Sequence, residues 1–106
     1  MSVMDKDAVI AKLREHREEL AALGLEHIAL FGSVARGDQT AESDLDLLVR
    51  FSEPTLKSGF SFFSLLEDLT IRLKELTGAP DVDVVIDPIQ KERVRRSVEK
   101  DLVSAF

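Results

Sequence analysis

The chain contains no cysteine, no tryptophan and no tyrosine among its 106 residues. Without cysteine it has no disulfide, no thiolate metal ligand and no thiol nucleophile. Without tyrosine, self-modification at a hydroxyl falls to serine or threonine. Histidine is scarce as well: only His16 and His27 are present, and both are assigned structural or surface roles. No apolar run approaches the roughly 18 residues of a membrane span. The opening MSVMDKDAVI lacks the basic region and apolar core of a secretory leader. These absences predict a cytoplasmic protein without a membrane partner. Positive charge is also short, with 14 Lys and Arg against 20 Asp and Glu and a formal net charge of −6. Broad nucleic-acid binding runs on Lys and Arg contacts to phosphates, so this balance argues against it. A small nucleotide stays open, because bound Mg²⁺ offsets local acid charge.

What is present suits a globular chain. Apolar residues make up 44%, enough to argue against disorder. The length is near the commonest domain size, so a single domain over residues 1–106 is expected. The stretch Phe31–Arg50, FGSVARGDQTAESDLDLLVR, organises the rest. A strand sends alternate side chains to opposite faces, which puts Asp44 and Asp46 on one face and Leu45, Leu47 and Val49 on the other. Two residues along a strand span roughly 6.5–7 Å. Carboxylates at that separation can converge on divalent ions, which lie about 3.5–4 Å apart in two-metal sites. Gly32-Ser33, straight after an apolar run, offers backbone N–H groups and a hydroxyl to a phosphate.

In chain order, helical spacing of Val9, Ile10, Leu13 and Leu20 predicts a helix from Asp5 to Leu23, closed by Gly24. Leu25–Phe31 reads as a strand, followed by a helical turn at Val34–Arg36 capped by Ser33. Gln39–Ser43 reads as loop, Asp44–Phe51 as the second strand and Ser52–Gly59 as loop. Phe62, Leu66, Leu69, Leu73 and Leu76 predict a long helix over Ser61–Thr77, with Ser64 and Glu67 available as a capping box. Its Phe-rich start, Phe60, Phe62 and Phe63, is assigned to the core, with a nucleobase wall as the other reading. Asp81–Asp87 is the third strand, with Asp83 between Val82 and Val84. Asp87-Pro88-Ile89-Gln90 carries the signals of a helix start, and Val94, Val98, Leu102 and Phe106 continue that helix at spacing four. Lys91, Arg93, Arg95, Arg96 and Lys100 give it a basic flank, either a solvated face or a contact for an acidic partner or nucleotide phosphates. The short link between the first two strands implies an antiparallel pair, and the helix between the second and third a parallel one. The expected fold class is α/β, α+β-like: a small mixed three-stranded sheet covered by helices. Asp44, Asp46, Asp83 and Gly32-Ser33 then meet at one end of the sheet.

Asp44-Leu45-Asp46 alone is equally the wet face of a half-exposed sheet, and Gly32-Ser33 alone is a weaker signal still. Together they demand a reason, because crowded like charges raise one another's pKa. Mg²⁺ answers it, taking oxygen ligands and sharing its shell with substrate phosphates. The chemistry expected is in-line attack by a hydroxyl on the α-phosphate of a nucleoside triphosphate, with pyrophosphate leaving and two ions assisting. Asp83 is then the ligand of the second ion or the proton acceptor.

GSVARGD followed by SDLDLLV resembles the signature of nucleotidyltransferases of the DNA polymerase β superfamily. The length resembles the minimal nucleotidyltransferase (MNT) family in particular. The resemblance implies a polymerase β-type nucleotidyltransferase fold. It also implies that Gly32 and Ser33 bind the triphosphate, that Asp44 and Asp46 hold both metals and that Asp83 completes the triad. Arg36 and Asp38 also match motif positions, Arg36 positioning phosphate or bracing the loop; Val34 is apolar where many relatives are polar or basic. The implied activity is Mg²⁺-dependent transfer of AMP from ATP. The implied partner is a small helical HEPN protein of a toxin–antitoxin module, with the nucleotidyltransferase as antitoxin. A chain this short leaves a protein partner or a second subunit to supply the rest of the site. The other readings are a binding antitoxin that neutralises by contact and transfer to a small molecule.

Overall fold

The computed structural model describes residues 5–38, 40 and 42–106. The leader reading of residues 1–4, and Gln39 and Ala41 of the loop reading, lie outside the described residues. Asp5 caps the first helix, its carboxylate accepting from the Ala8 N–H at 2.9 Å. The helical run is α1 (Lys6–Glu15) and α2 (Arg17–Ala22), with a kink at His16. Helical bonding continues across the kink: His16 N–H donates to Lys12 O, and His16 O accepts from the Leu20 N–H. His16 itself lies 3.3 Å from Glu19, a surface pairing. The chain continues through β1 (Leu25–Phe31), α3 (Gly32–Arg36), β2 (Leu45–Phe51), α4 (Glu53–Leu56) and α5 (Phe60–Thr77). It ends with β3 (Val82–Ile86), α6 (Glu92–Lys100) and β4 (Val103–Ser104).

The sheet has four strands in the order β3-β2-β1-β4. β1 and β2 are antiparallel and β2 and β3 parallel, as expected. The fourth strand corrects the expectation of three: β4 lies antiparallel on β1. It also corrects the last helix, which stops at Lys100 instead of running through Leu102 and Phe106. The free edge of β1 supplies the reason, since unpaired strand groups need partners. Ile28 N–H donates to Phe106 O, and Ile28 O accepts from the Ala105 N–H at 2.9 Å. Leu102, outside the helix, is exposed.

Other boundaries also move. α6 opens at Glu92 rather than at Asp87–Gln90, because the Asp87 N–H still bonds Val49 O at 2.8 Å and holds the chain on the sheet. The presumed loop Ser52–Gly59 contains α4, with Pro54 in its first turn where a missing N–H costs nothing. Ser33 lies inside α3 and does not cap it; the capping position is Phe31. α5 begins at Phe60, too early for a Ser64–Glu67 capping box. Of the three phenylalanines assigned to the core, only Phe62 turns inward, packing edge-on against Phe51 at 5.2 Å between ring centroids. Phe60 is 93% exposed and Phe63 69%, because only one side of the first turn of α5 meets the sheet.

The core lies between one sheet face and helices α1, α2 and α5. Leu45, Leu47 and Val49 of β2 and Ile28 and Leu30 of β1 meet Val9, Leu13, Leu20, Leu69 and Leu73 there. Each such side chain contributes about 1.5–3 kcal/mol on burial. The alternation in β2 thus puts the aliphatic residues in the core and turns Asp46 to the opposite face. That face is covered in part by α6, through the buried Val98. Among the described residues no helix is long and apolar enough to cross a membrane.

Candidate active site

β1 ends where the acids begin. Phe31 is the register partner of Asp46 on β2, and Asp46 is the partner of Asp83 on β3. Phe31, Asp46 and Asp83 therefore form one row across the end of the sheet, on the face opposite the core. Asp44 stands two residues before Asp46, just outside the strand, where Leu45 N–H is already bonded to Asp81 O at 3.0 Å. The rigid part of this arrangement is the aliphatic half of β2, since Leu45 and Leu47 are fully buried beneath the acids.

Gly32 follows Phe31 directly and touches Asp46. Its φ of +76° belongs to the left-handed region, where an L side chain is strained. A Cβ there would collide with Asp46 Oδ2 and press on Cγ. Only glycine lets the turn and the carboxylate share this space. Ser33 follows in the first turn of α3. Gly37 ends α3 at φ +82°, its N–H bonding Ser33 O at 3.0 Å.

Asp46 is half-buried, while Asp44 and Asp83 are exposed. Burial raises the Asp46 pKa above its ordinary value, and the charges of Asp83 and then Asp44 raise it further; Arg36 opposes them. All three acids thus lie within electrostatic reach of one point. They do not close on it: among the described residues no three His, Cys, Asp or Glu side chains gather tightly enough to enclose a metal ion. The acids form an open rim of oxygen donors. Mg²⁺ is usually held by one or two carboxylates together with substrate phosphates rather than in an all-protein cage. A half-buried carboxylate with raised pKa, acidic neighbours and a space that a Cβ would fill fits such an ion.

Arg36 has partners already. Its Nε donates to Asp38 at 3.1 Å and its Nη1 to Asp101, beyond α6, at 3.0 Å. The bond to Asp101, then that to Asp38, holds its pKa above the ordinary value. These bonds tie the end of α3 to Asp38 in the loop that follows and to Asp101 at the end of α6.

Beside Asp83 lies a cleft of about 360 Å³ between α6 and the sheet, lined by Phe31, Asp83, Val85, Arg93, Val94 and Ser97. Sequence reasoning did not find it. The alternation of β1 was the available signal for Phe31, and the basic flank of α6 contained Arg93. What brings Phe31 and Arg93 to Asp83 is the tertiary path of α6 across the sheet.

A small mixed sheet with an acid row at one end, beside a glycine turn, defines the nucleotidyltransferase class. Residues 12–105 match the family described as the nucleotidyltransferase domain. The chain belongs to that family. It is 36% identical over 92 residues to "Putative protein adenylyltransferase MJ1379" of Methanocaldococcus jannaschii, covering 86% of this chain and 88% of that one. It is 31% identical over 104 residues to "Protein adenylyltransferase MntA" of Thermococcus cleftensis, covering 97% and 98% of the two chains. The solved structure of a "putative minimal nucleotidyltransferase" superposes with a TM-score of 0.73 at 32% identity, over 97% of this chain and 98% of that one.

Proposed function

We propose that residues 1–106 act as one nucleotidyltransferase domain that moves a nucleoside monophosphate, AMP from ATP, to a hydroxyl on a partner protein. The observation that carries this reading is the row Phe31–Asp46–Asp83 with Gly32 set against the Asp46 carboxylate. The relatives named as protein adenylyltransferases support the donor and the acceptor class. The motif's resemblance supports a small helical HEPN-type protein as partner, with this chain as antitoxin. The cytoplasm, where ATP and Mg²⁺ are supplied, is the place of action.

In this reading the backbone at Gly32 and the hydroxyl of Ser33 hold the triphosphate. Asp44 and Asp46 would hold two Mg²⁺ ions, with Asp83 on the second. The ions, when bound, neutralise phosphate charge and lower the pKa of the attacking hydroxyl. The acceptor oxygen bonds to the α-phosphorus, the bond to the β-phosphate oxygen breaks and pyrophosphate leaves. Asp83, exposed at the end of the row, takes the hydroxyl proton. Asp46, fixed from behind by Leu45 and Leu47, sets the position of the reacting phosphate.

The test is intact-protein mass spectrometry of this chain and its co-purifying partner after incubation with ATP and Mg²⁺. An AMP adduct on the partner with wild type, absent with Asp46→Asn, is the expected result. No adduct on either protein, with the complex intact, would sink the transfer reading. It would leave neutralisation by contact, which the exposed Phe60 and Phe63 favour.

A further inference from the structure

Across the sheet end, the elements follow one another as β1, β2, β3. Gly32 at the end of β1, Asp46 on β2 and Asp83 on β3 therefore stand in that order. An in-line displacement puts the entering and leaving oxygens on opposite sides of the phosphorus. With the triphosphate at Gly32 and Ser33, the leaving pyrophosphate lies toward β1. The entering hydroxyl then comes from the side of β3. The cleft runs beneath α6 from Phe31 on β1 to Asp83 and Val85 on β3, and its Asp83 end lies on that side, with Arg93, Val94 and Ser97 in its α6 wall.

We infer that this cleft is the acceptor subsite, that it takes a hydroxyl-bearing side chain of a protein segment, and that Arg93 selects a segment with an acidic residue beside that hydroxyl. The inference rests on the transfer reading above and adds which surface receives the acceptor and what it recognises. Three observations carry it. The first is position: Asp83, the proposed proton acceptor, lines the cleft. The second is size. About 360 Å³ is at the lower end for small-ligand sites, which run from roughly 300 to 1,000 Å³, and suits one side chain with its polar end at Asp83 and its stem against Val85 and Val94. The third is charge. Arg93 is exposed and makes no hydrogen bond or ion pair among the described residues, whereas Arg96 on the same helix is bonded to Glu92 at 2.9 Å. An unpaired guanidinium at a site for a neutral hydroxyl has a use if the acceptor brings a carboxylate, which the planar fork binds in two places.

Two variants test this. Val94→Trp fills the cleft, and Arg93→Glu reverses its charge. Both positions are exposed, and circular dichroism checks that each variant folds. The probes are a non-hydrolysable ATP analogue and two peptides spanning the hydroxyl that mass spectrometry locates on the partner. One peptide is natural; the other has lysine in place of its flanking acids. The expected result is a KM for the natural peptide at least tenfold higher in each variant, with analogue affinity within twofold of wild type. Arg93→Glu should prefer the lysine peptide, and Arg93→Lys should recover most of the wild-type KM. A tenfold loss of analogue affinity in Val94→Trp would assign the cleft to the nucleotide and overturn the inference. Unchanged peptide KM in both variants, or a located hydroxyl without a neighbouring acid, would overturn it while leaving the transfer reading in place. Absence of any wild-type transfer would instead remove the transfer reading itself, and this inference with it.

Discussion

Replacing Gly32 with alanine separates the two jobs that this residue performs. The backbone sits at φ +76°, and an L residue there costs about 1–2 kcal/mol. The added methyl would also collide with the free end of the Asp46 side chain. That carboxylate can swing aside, at a cost of about 0.5–1.5 kcal/mol for an off-rotamer torsion. Together these give roughly 2–3 kcal/mol of destabilisation, which for a chain of this size lowers Tm by roughly 8–24 °C. The functional loss should be larger than the stability loss suggests. Displacing a reacting group by about 1 Å costs on the order of a hundredfold in rate, and Asp46 must move at least that far. The assays are thermal unfolding by circular dichroism and transfer of labelled AMP measured well below the Tm of the variant. Gly32→Ala combined with Asp46→Ala gives the decisive comparison. Removing the carboxylate relieves the collision but not the backbone strain, so the double variant should regain about 1 kcal/mol relative to the sum of the single changes. If Gly32→Ala keeps wild-type Tm and activity, or if the double variant shows no such recovery, the account of Gly32 as the space for Asp46 is refuted.

The raised pKa of Asp46 makes a signed prediction. The folded state binds that proton more readily than the unfolded state, so ionised Asp46 costs stability above its folded pKa and nothing below the unfolded one. Asp46→Asn should therefore be more stable than wild type near neutral pH, because it removes the burial penalty and the repulsion from Asp83 and Asp44; the gain should vanish as the pH falls through the carboxylate range, and Tm measured across that range would show it. Millimolar Mg²⁺ should raise the Tm of wild type and not of Asp46→Asn; equal shifts in the two would count against Asp46 as a ligand. Leu47→Ala, at a fully buried position, should cost about 2–5 kcal/mol, read by urea denaturation with an unchanged m-value. Arg36→Ala should leave the Tm little changed, because its ion pairs are partly exposed, yet raise the Asp46 pKa further, as followed by NMR titration of that carboxyl.

The parts of the fold legible in the sequence are those where one short window carries both the apolar period and the chemistry. β2 shows this best: alternation alone separates Leu45, Leu47 and Val49, now in the core, from Asp46 on the other face. The meeting of Asp46 and Asp83 followed from one further inference, that a helix joining two strands makes them parallel. β4 was not legible because two residues carry no period. Its sequence also continues the helical stripe, since Val94, Val98, Leu102 and Phe106 keep spacing four past the point where α6 ends. What ends that helix is the unpaired edge of β1, a tertiary demand. Phe60 and Phe63 show the limit of composition: side chains of the same kind as Phe62, one turn or less away, face water because only one side of the first turn of α5 meets the sheet. The cleft at Asp83 depends on residues from β1, β3 and α6, and no local pattern joins them.

The charge distribution explains why the acid row stays open. The charges of Asp83 and Asp44 both reach Asp46, where among the described residues Arg36 is the opposing cation, and Arg36 is held by Asp38 and Asp101. A folded chain under no functional demand would gain by closing an ion pair on Asp46 or by placing a neutral side chain there. Instead Leu45 and Leu47 anchor the strand from the core side, and Gly32 leaves the carboxylate no neighbour that would bury it further. In the proposed function, a divalent ion and a polyphosphate arriving together would remove that repulsion. On the proposed reading Asp46→Asn should both relieve that repulsion in the free protein and weaken binding of the ion.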